Sequence, residues 1–116
     1  MTAGEDHQPA GSERIVLVYA TFPGPEEARR IGGELVEMRL AACVNLLPGM
    51  TSIYRWQGDT HQDAETVAII KTRAGLAERV VGVVRVRHSY TNPSLLVLPL
   101  VGGSADFMAW IRAETA

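Results

Sequence analysis

Several residue types are scarce in this chain, and each scarcity excludes a class of protein. There is one cysteine, Cys43, so no internal disulfide can form, and a lone cysteine between apolar neighbours fits a reducing cytoplasm. No apolar run approaches the roughly 18 residues that a membrane helix needs. The formal net charge is only −2, which is too little to attract nucleic acid or an anionic membrane surface. We therefore expect a cytoplasmic protein with neither kind of partner.

The N-terminal residues 1–13 also lack what a secretory signal needs, since they have no basic start and no apolar centre. Three acidic residues and two glycines predict instead a disordered, solvated tail. The remaining residues 14–116 carry 11 basic and 10 acidic side chains. With 47% hydrophobic residues in the whole chain, this part is large enough to form one domain with its own core.

Catalytic signatures are missing as well. The sequence has no nucleophile elbow, no phosphate-binding glycine loop and no metalloprotease helix. The glycine pair Gly102 and Gly103 is typical of a turn between a strand and a helix. We therefore expect that the protein is not an enzyme and that no cofactor is obligatory.

The richest part of the chain is the stretch RLAACVNLLPGMTSIYRWQG, residues 39–58. Two strand-like runs, residues 42–47 and 50–56, lie on either side of a Pro-Gly pair, which predicts an antiparallel hairpin that turns at Pro48 and Gly49. Alternation along the second run places Tyr54 and Trp56 on the same face. Such a large apolar face makes the hairpin a candidate for assembly.

The rest of the chain alternates between strand and helix patterns. Three further runs have the pattern of strands: residues 15–21, 66–71 and 95–101. Three segments are predicted as helices: one from Pro25 to about Arg39, one over residues 76–87, and one after Ser104 with Phe107, Trp110 and Ile111 as its apolar face. Pro99 confines the last strand to a sheet edge or a bulge.

This order reduces to β-α-β-β-α-β, the ferredoxin-like pattern of the α+β class, with an extended hairpin and a C-terminal helix added. Both main helices of that pattern cover one face of the sheet. The other face is rich in apolar residues and open, so we expect it to find a partner.

Four polar residues that alternate along one segment form a candidate metal site. Asp59, His61, Asp63 and Glu65 share one face of an extended strand, and their oxygen and nitrogen atoms could hold a divalent cation such as copper or zinc. The alternative is a solvated strand edge whose charges prevent aggregation, and we favour it.

Three single residues have two interpretations each. Cys43 is either a soft metal ligand or a buried, inert thiol. His88 is either a ligand or a loop histidine that hydrogen-bonds to backbone groups. Lys71 ends an apolar strand, where a cation needs a partner. We expect Asp63 or Glu65 to pair with it. The pair would either stabilise the structure or form part of an anion site.

Several stretches, taken in order, resemble one known family. They read RLAACVN around Cys43, TSIYRWQG, IIKT, HSY and LPLVGGSADFMAWI. Together with Asp63 and Glu65, they are similar over residues 14–116 to the CutA family of divalent-cation-tolerance proteins.

The resemblance implies a compact, PII-like homotrimer of ferredoxin-like subunits, with hairpins that extend across subunits and sheets that meet edge to edge. It implies tolerance to divalent metals, copper in particular, and a cysteine near an intersubunit cleft. The candidate metal ligands are Cys43, Asp63, Glu65 and His88. The candidate interface residues are Tyr54, Trp56, Lys71, Tyr90 and Trp110.

One loop departs from the family pattern. Ser89, Thr91 and Ser94 replace a proline and two acidic residues that relatives often carry beside the histidine. Two carboxylates are thus lost next to His88. Two hypotheses remain open: a trimer that binds divalent metal in response to metal ions, and a PII-like signalling or scaffold trimer. The second would use Lys71 to sense a small anion in the intersubunit cleft, or would dock a partner protein there.

Overall fold

Four strands and three α-helices alternate along the part of the chain that the structure, a computed structural model, describes, which is residues 8–9 and 11–116. Their order is β1 (Ile15–Phe22), α1 (Pro25–Glu37), β2 (Cys43–Trp56), β3 (Asp59–Arg73), α2 (Ala77–Arg87), β4 (Leu95–Pro99) and α3 (Ala105–Glu114). A single 3-10 turn, Ala74–Leu76, leads into α2. The predicted α+β class and β-α-β-β-α-β order are confirmed. The helix predicted over residues 76–87 is α2.

The strands form one antiparallel sheet in the order β2-β3-β1-β4. β1 is central and pairs along its whole length with β3, while β2 and β4 are the two edges. Pro99 ends β4, where its missing N–H breaks no ladder with a fifth strand. Its predicted edge position is confirmed.

The predicted hairpin turn at Pro48 and Gly49 is wrong. These two residues form a bulge inside the continuous strand β2, between the pairs Leu47↔Val67 and Met50↔Glu65. The hairpin instead joins β2 to β3, and it turns at Gln57 and Gly58, which both have positive φ, at 49° and 87°. Two consecutive residues of positive φ match the right-handed twist of the strands, whereas a bulge bends one strand without reversing it.

The main core lies between the sheet and the two helices α1 and α2. Because side chains alternate along a strand, Val18, Ala20 and Phe22 of β1 face these helices and are buried. The helices contribute fully buried Ile31, Leu35, Val80 and Val84. Burying a side chain of this size contributes about 1.5–3 kcal/mol, so this layer fixes the sheet on which the open face is built.

The helix α3 covers one end of the opposite face, where Met108 and Ile111 pack against Ile15. Ser104 caps this helix as predicted, because its side chain accepts a hydrogen bond from the Phe107 N–H at 3.3 Å. Of the predicted apolar face, Ile111 is buried, whereas the other two residues are not. Phe107 and Trp110 remain 44% and 42% exposed and contact each other, with ring centroids 5.5 Å apart.

Part of the predicted tail lies outside the described residues, namely 1–7 and 10. Of the rest, Gly11–Glu13 form one 3-10 turn. The Gln8 side-chain amide donates hydrogen bonds to the carbonyls of Ile15 and Leu100, at 3.2 and 3.1 Å. Where the tail ends and the domain begins at residue 14 stays a prediction.

Candidate functional site

A cleft of about 580 Å³ opens on the sheet face that α1 and α2 do not cover. Three strands and the loop between α2 and β4 form its walls. The residues that line it are Tyr19, Thr21, Ser52, Ile53, Tyr54, Trp56, Glu65, Tyr90, Thr91, Asn92 and Ser94. The cleft is therefore a mixed aromatic and polar site, the kind of concavity in which proteins hold small ligands.

Strand alternation places most of these side chains. Tyr54 and Trp56 are two positions apart on β2, and Glu65 lies on the neighbouring strand β3 opposite Met50. Tyr19 and Thr21 reach the same face from the central strand β1. The one extra residue of the β2 bulge sets the register, because it aligns the outer half of β2 with the acidic half of β3.

Two tyrosine–carboxylate pairs organise the cleft. The Tyr54 hydroxyl donates a hydrogen bond to the Asp63 carboxylate, and the Tyr90 hydroxyl donates one to Glu65 at 3.0 Å. Burial, followed by the hydrogen bond to Glu65, raises the pKa of Tyr90 from 10.0 to about 12. The hydrogen bond to Asp63 is the main cause that raises the pKa of Tyr54. Both hydroxyls thus stay protonated at neutral pH, as donors to the carboxylates.

His88 fastens the loop that forms one wall of the cleft. Its ring is buried and stacks on Phe22, with centroids 4.7 Å apart. The Nε2 atom donates to the Thr21 carbonyl at 2.7 Å, and Nδ1 accepts from the Tyr90 N–H at 3.0 Å. These two bonds place the ring proton on Nε2. Both nitrogens are therefore in use, which agrees with the interpretation of His88 as a loop histidine that binds backbone groups.

An acidic neighbour completes the environment of His88. The Glu27 carboxylate of α1 lies 3.4 Å from Nδ1 and accepts a hydrogen bond from the Ser89 N–H at 3.1 Å. A carboxylate at this position comes from a helix first turn, where the helix dipole favours negative charge. The acidic neighbour of His88 therefore comes from α1 and not from its own loop.

The structure brings together only two of the four candidate metal ligands. Asp63 and Glu65 are neighbours on one face of β3, next to the cleft. Cys43 pairs with Lys71 at the far end of the same strand, about 20 Å from Glu65 at the usual rise per residue. In the described part of the chain, no three His, Cys, Asp or Glu side chains converge as a metal ligand set.

The expected ion pair of Lys71 with Asp63 or Glu65 is wrong. All three residues lie on β3 itself, so they are separated along one extended strand and cannot reach each other. The Lys71 ammonium instead lies over the Phe107 ring, 5.1 Å from its centroid. A cation–π contact with α3 supplies the partner that a cation on an apolar strand requires.

The remaining predicted residues lie at two places. Tyr54, Trp56 and Tyr90 line the cleft, whereas Trp110 lines a separate cavity of about 280 Å³ beside the end of α1. His61 stacks on the Tyr54 ring, with centroids 5.5 Å apart. Their predicted roles at a subunit interface stay predictions.

Sequence reasoning missed Tyr19 and Thr21. Both lie in a continuous apolar run, so the alternation that would separate the two faces of β1 is hidden. The Tyr19 hydroxyl is 3.7 Å from the Met50 sulfur, a weak contact across the sheet. The hydroxyl groups of Tyr19 and Thr21, two positions apart in this run, were the only signal that could have found them.

Comparison with known proteins identifies the family. The family described as CutA1 divalent ion tolerance protein matches residues 16–114. The divalent-cation tolerance protein CutA of Thermus thermophilus is 43% identical over 103 residues, which cover 89% of this chain and 98% of that protein. The chloroplastic protein CutA 1 of rice (Oryza sativa) is 38% identical over 100 residues. That match covers 86% of this chain but only 56% of the rice protein.

Solved structures agree with the sequence match. CutA1 of Ehrlichia chaffeensis has a TM-score of 0.86 at 30% identity, covering 91% of this chain and 99% of that one. The Thermus thermophilus protein has a TM-score of 0.85 at 41% identity, covering 88% and 99%. Within the described residues, no helix is long and apolar enough to cross a membrane. The chain belongs to the CutA1 divalent ion tolerance protein family.

Proposed function

We propose that this chain is a homotrimeric divalent-cation tolerance protein that binds divalent metal ions, copper first and zinc second, as part of a response to metal. The observation that carries the proposal is the position of Asp63 and Glu65, two carboxylates side by side at the rim of a cleft, in a chain of this family. Neither metal is an obligatory cofactor in this proposal, and the protein is not an enzyme.

The sheet edges support self-association into a trimer of ferredoxin-like subunits in a PII-like arrangement. Both β2 and β4 end the sheet with one unpaired row of backbone groups, and such edges are templates for pairing with another chain. The exposed fractions of Leu96, Val97 and Leu98 on β4 are 61%, 46% and 42%. Apolar side chains of this exposure at a sheet edge favour burial against a second copy.

The ligand set of one chain is incomplete, and this links metal binding to assembly. Asp63 and Glu65 offer oxygen atoms that Tyr54 and Tyr90 orient by hydrogen bonds. Copper prefers nitrogen or sulfur ligands. The imidazole of His88 is committed to backbone groups, and Cys43 lies at the far end of β3. The exposed His61 imidazole shares the face of β3 with Asp63, but within the described residues no three His, Cys, Asp or Glu side chains converge, so further ligands would come from a neighbouring copy.

Isothermal titration of the metal-free protein with Cu(II) and Zn(II) tests the proposal. We expect micromolar affinity for Cu(II) that falls at least tenfold in the double variant Asp63→Asn, Glu65→Gln. A matched control is Asp106→Asn, an exposed carboxylate on α3 outside the cleft. Affinity no better than millimolar, or equal affinity of all three proteins, would contradict it.

The alternative of a trimeric signalling protein that senses a small anion finds no supporting observation. Among the described residues that line the cleft there is no lysine, arginine or histidine, and Lys71 is engaged with Phe107. A cytoplasmic location remains part of the proposal, because the chain has a single cysteine. The names of relatives say chloroplastic for the rice protein and periplasmic for that of Archaeoglobus fulgidus.

A further inference from the structure

We propose that the cleft binds a small organic cation of the alkylammonium class, held by Glu65 and by the rings of Trp56, Tyr54 and Tyr90. Such a ligand differs in chemistry from a hydrated metal ion and from the anion considered above. The inference does not rest on the metal proposal, because it uses the geometry of the cleft in a single chain.

The charge of the cleft favours a cation. The part of the chain that the structure describes contributes one carboxylate, Glu65, and no basic side chain to the lining of the cleft. Asp63 stands directly beside it and holds the Tyr54 hydroxyl. His61 stacks on Tyr54 but is not among the lining residues. A negatively charged concavity of this kind concentrates cations and repels anions.

The burial of Glu65 indicates a missing partner. The residue is only 9% exposed, and in the described part of the chain its carboxylate is hydrogen-bonded to the Tyr90 hydroxyl with no lysine, arginine or histidine in ion-pair contact. Buried carboxylates are normally paired with a cation, because desolvation of an unpaired charge is costly. A cationic ligand in the cleft would supply that partner.

The aromatic residues favour an organic cation over a bare ion. Trp56, Tyr54 and Tyr90 line the cleft, and in the single chain they are 42%, 40% and 38% exposed. Ring faces attract alkylated ammonium groups, which are weakly hydrated and make apolar contacts as well. Each tyrosine hydroxyl donates to a carboxylate, which leaves its ring more electron-rich. A cleft of about 580 Å³ also has room for an organic molecule.

Tryptophan fluorescence tests the ligand class. The variant Trp110→Phe leaves Trp56 as the single tryptophan, and all solutions contain EDTA so that no divalent metal contributes. We expect tetramethylammonium to change the Trp56 emission in a saturable way, and the neutral isostere tert-butanol to leave it unchanged. Equal responses to the two compounds, or no response to tetramethylammonium, would overturn the proposal.

Calorimetry on variants of the full chain tests the assigned residues. Glu65→Gln keeps an acceptor for Tyr90 but removes the charge, and Trp56→Leu removes the indole ring. We expect each to weaken tetramethylammonium binding about tenfold. The matched controls, Glu37→Gln and Trp110→Leu, lie outside the cleft, and Trp110 is as exposed as Trp56. They should bind like the parent protein.

Two outcomes separate this inference from the metal proposal. Loss of copper binding in the double variant with tetramethylammonium binding intact would remove Asp63 and Glu65 from this site and overturn the role of Glu65. If Glu65→Gln does not fold, the comparison of Trp56→Leu with Trp110→Leu decides. Equal affinity of those two variants would overturn the aromatic contact.

Discussion

The Tyr90 hydroxyl donates a hydrogen bond to the Glu65 carboxylate at 3.0 Å, and this bond joins the loop after α2 to the middle of β3. The same residue donates its backbone N–H to His88, which in turn binds the Thr21 carbonyl on β1. The loop is thus fixed to two neighbouring strands of the sheet. One wall of the cleft is held in place by these bonds, which makes them the natural targets for mutation.

Removal of the Tyr90 hydroxyl tests that connection. In Tyr90→Phe the buried Glu65 carboxylate loses its hydrogen bond, so we expect the free energy of unfolding to fall by about 1–2 kcal/mol in urea denaturation. Tyr19→Phe is the matched control: within the described residues that hydroxyl bonds only weakly, to the Met50 sulfur, and its loss should lower the free energy of unfolding by less than about 0.5 kcal/mol. Equal losses in the two variants would contradict the assigned role of the bond.

Replacement of His88 should lower the free energy of unfolding more than replacement of Tyr90 does. His88→Ala removes two hydrogen bonds to backbone groups and the stack on Phe22, and we expect a loss of about 2–4 kcal/mol in the free energy of unfolding. His61→Ala removes an exposed imidazole that stacks on Tyr54 and should change stability by less than about 0.5 kcal/mol. A His88→Ala protein as stable as the parent would show that contacts other than those of His88 hold the loop in place.

Alkaline pH should weaken the fold through Tyr90. Its pKa is 10.0 in the unfolded chain and about 12 in the folded protein, so between these values the folded state binds more protons than the unfolded state. The unfolding free energy therefore falls as pH rises through this window, and below it the contribution is fully present. Denaturation at a series of pH values should show a shallower fall in Tyr90→Phe. Parallel curves for the two proteins would refute the linkage.

The turn of the long hairpin depends on Gly58. Its φ of +87° is unfavourable for a residue with a side chain, so Gly58→Ala should lower the free energy of unfolding by about 1 kcal/mol. Gly33 is the contrast: it lies in α1 with free space around it, and Gly33→Ala should stabilise the protein by as much as about 1 kcal/mol. Thermal denaturation measures both. Stabilisation by Gly58→Ala would mean that the turn has another conformation.

Local patterns were enough to predict the class and order of the fold. Apolar runs of strand length, Pro25 at a helix start and Ser104 as a helix cap are signals within a few residues, and the structure has the elements they predict. The turn of the hairpin was not predictable in this way. Pro48 and Gly49 have the composition of a turn but form a bulge, whereas Gln57 adopts a positive φ that its residue type does not favour.

The candidate site was predictable only where it is local. Alternation along β3 placed Asp63 and Glu65 on one face, as the structure does. The partners of these residues depend on contacts across the chain. The pairing of Glu65 with Tyr90, and of Lys71 with the Phe107 ring, needs the register of the sheet and the docking of α3. No spacing in the sequence contains that information.

Assembly and metal binding can be read in one measurement, native mass spectrometry of the metal-free protein before and after addition of Cu(II). We expect a species of three chains of 12.6 kDa each, which gains copper, while any single chain in the same spectrum gains none. The Asp63→Asn, Glu65→Gln protein should keep the trimer and lose the added mass. A monomer throughout, or copper bound equally well by single chains, would contradict a metal site completed by a neighbouring copy.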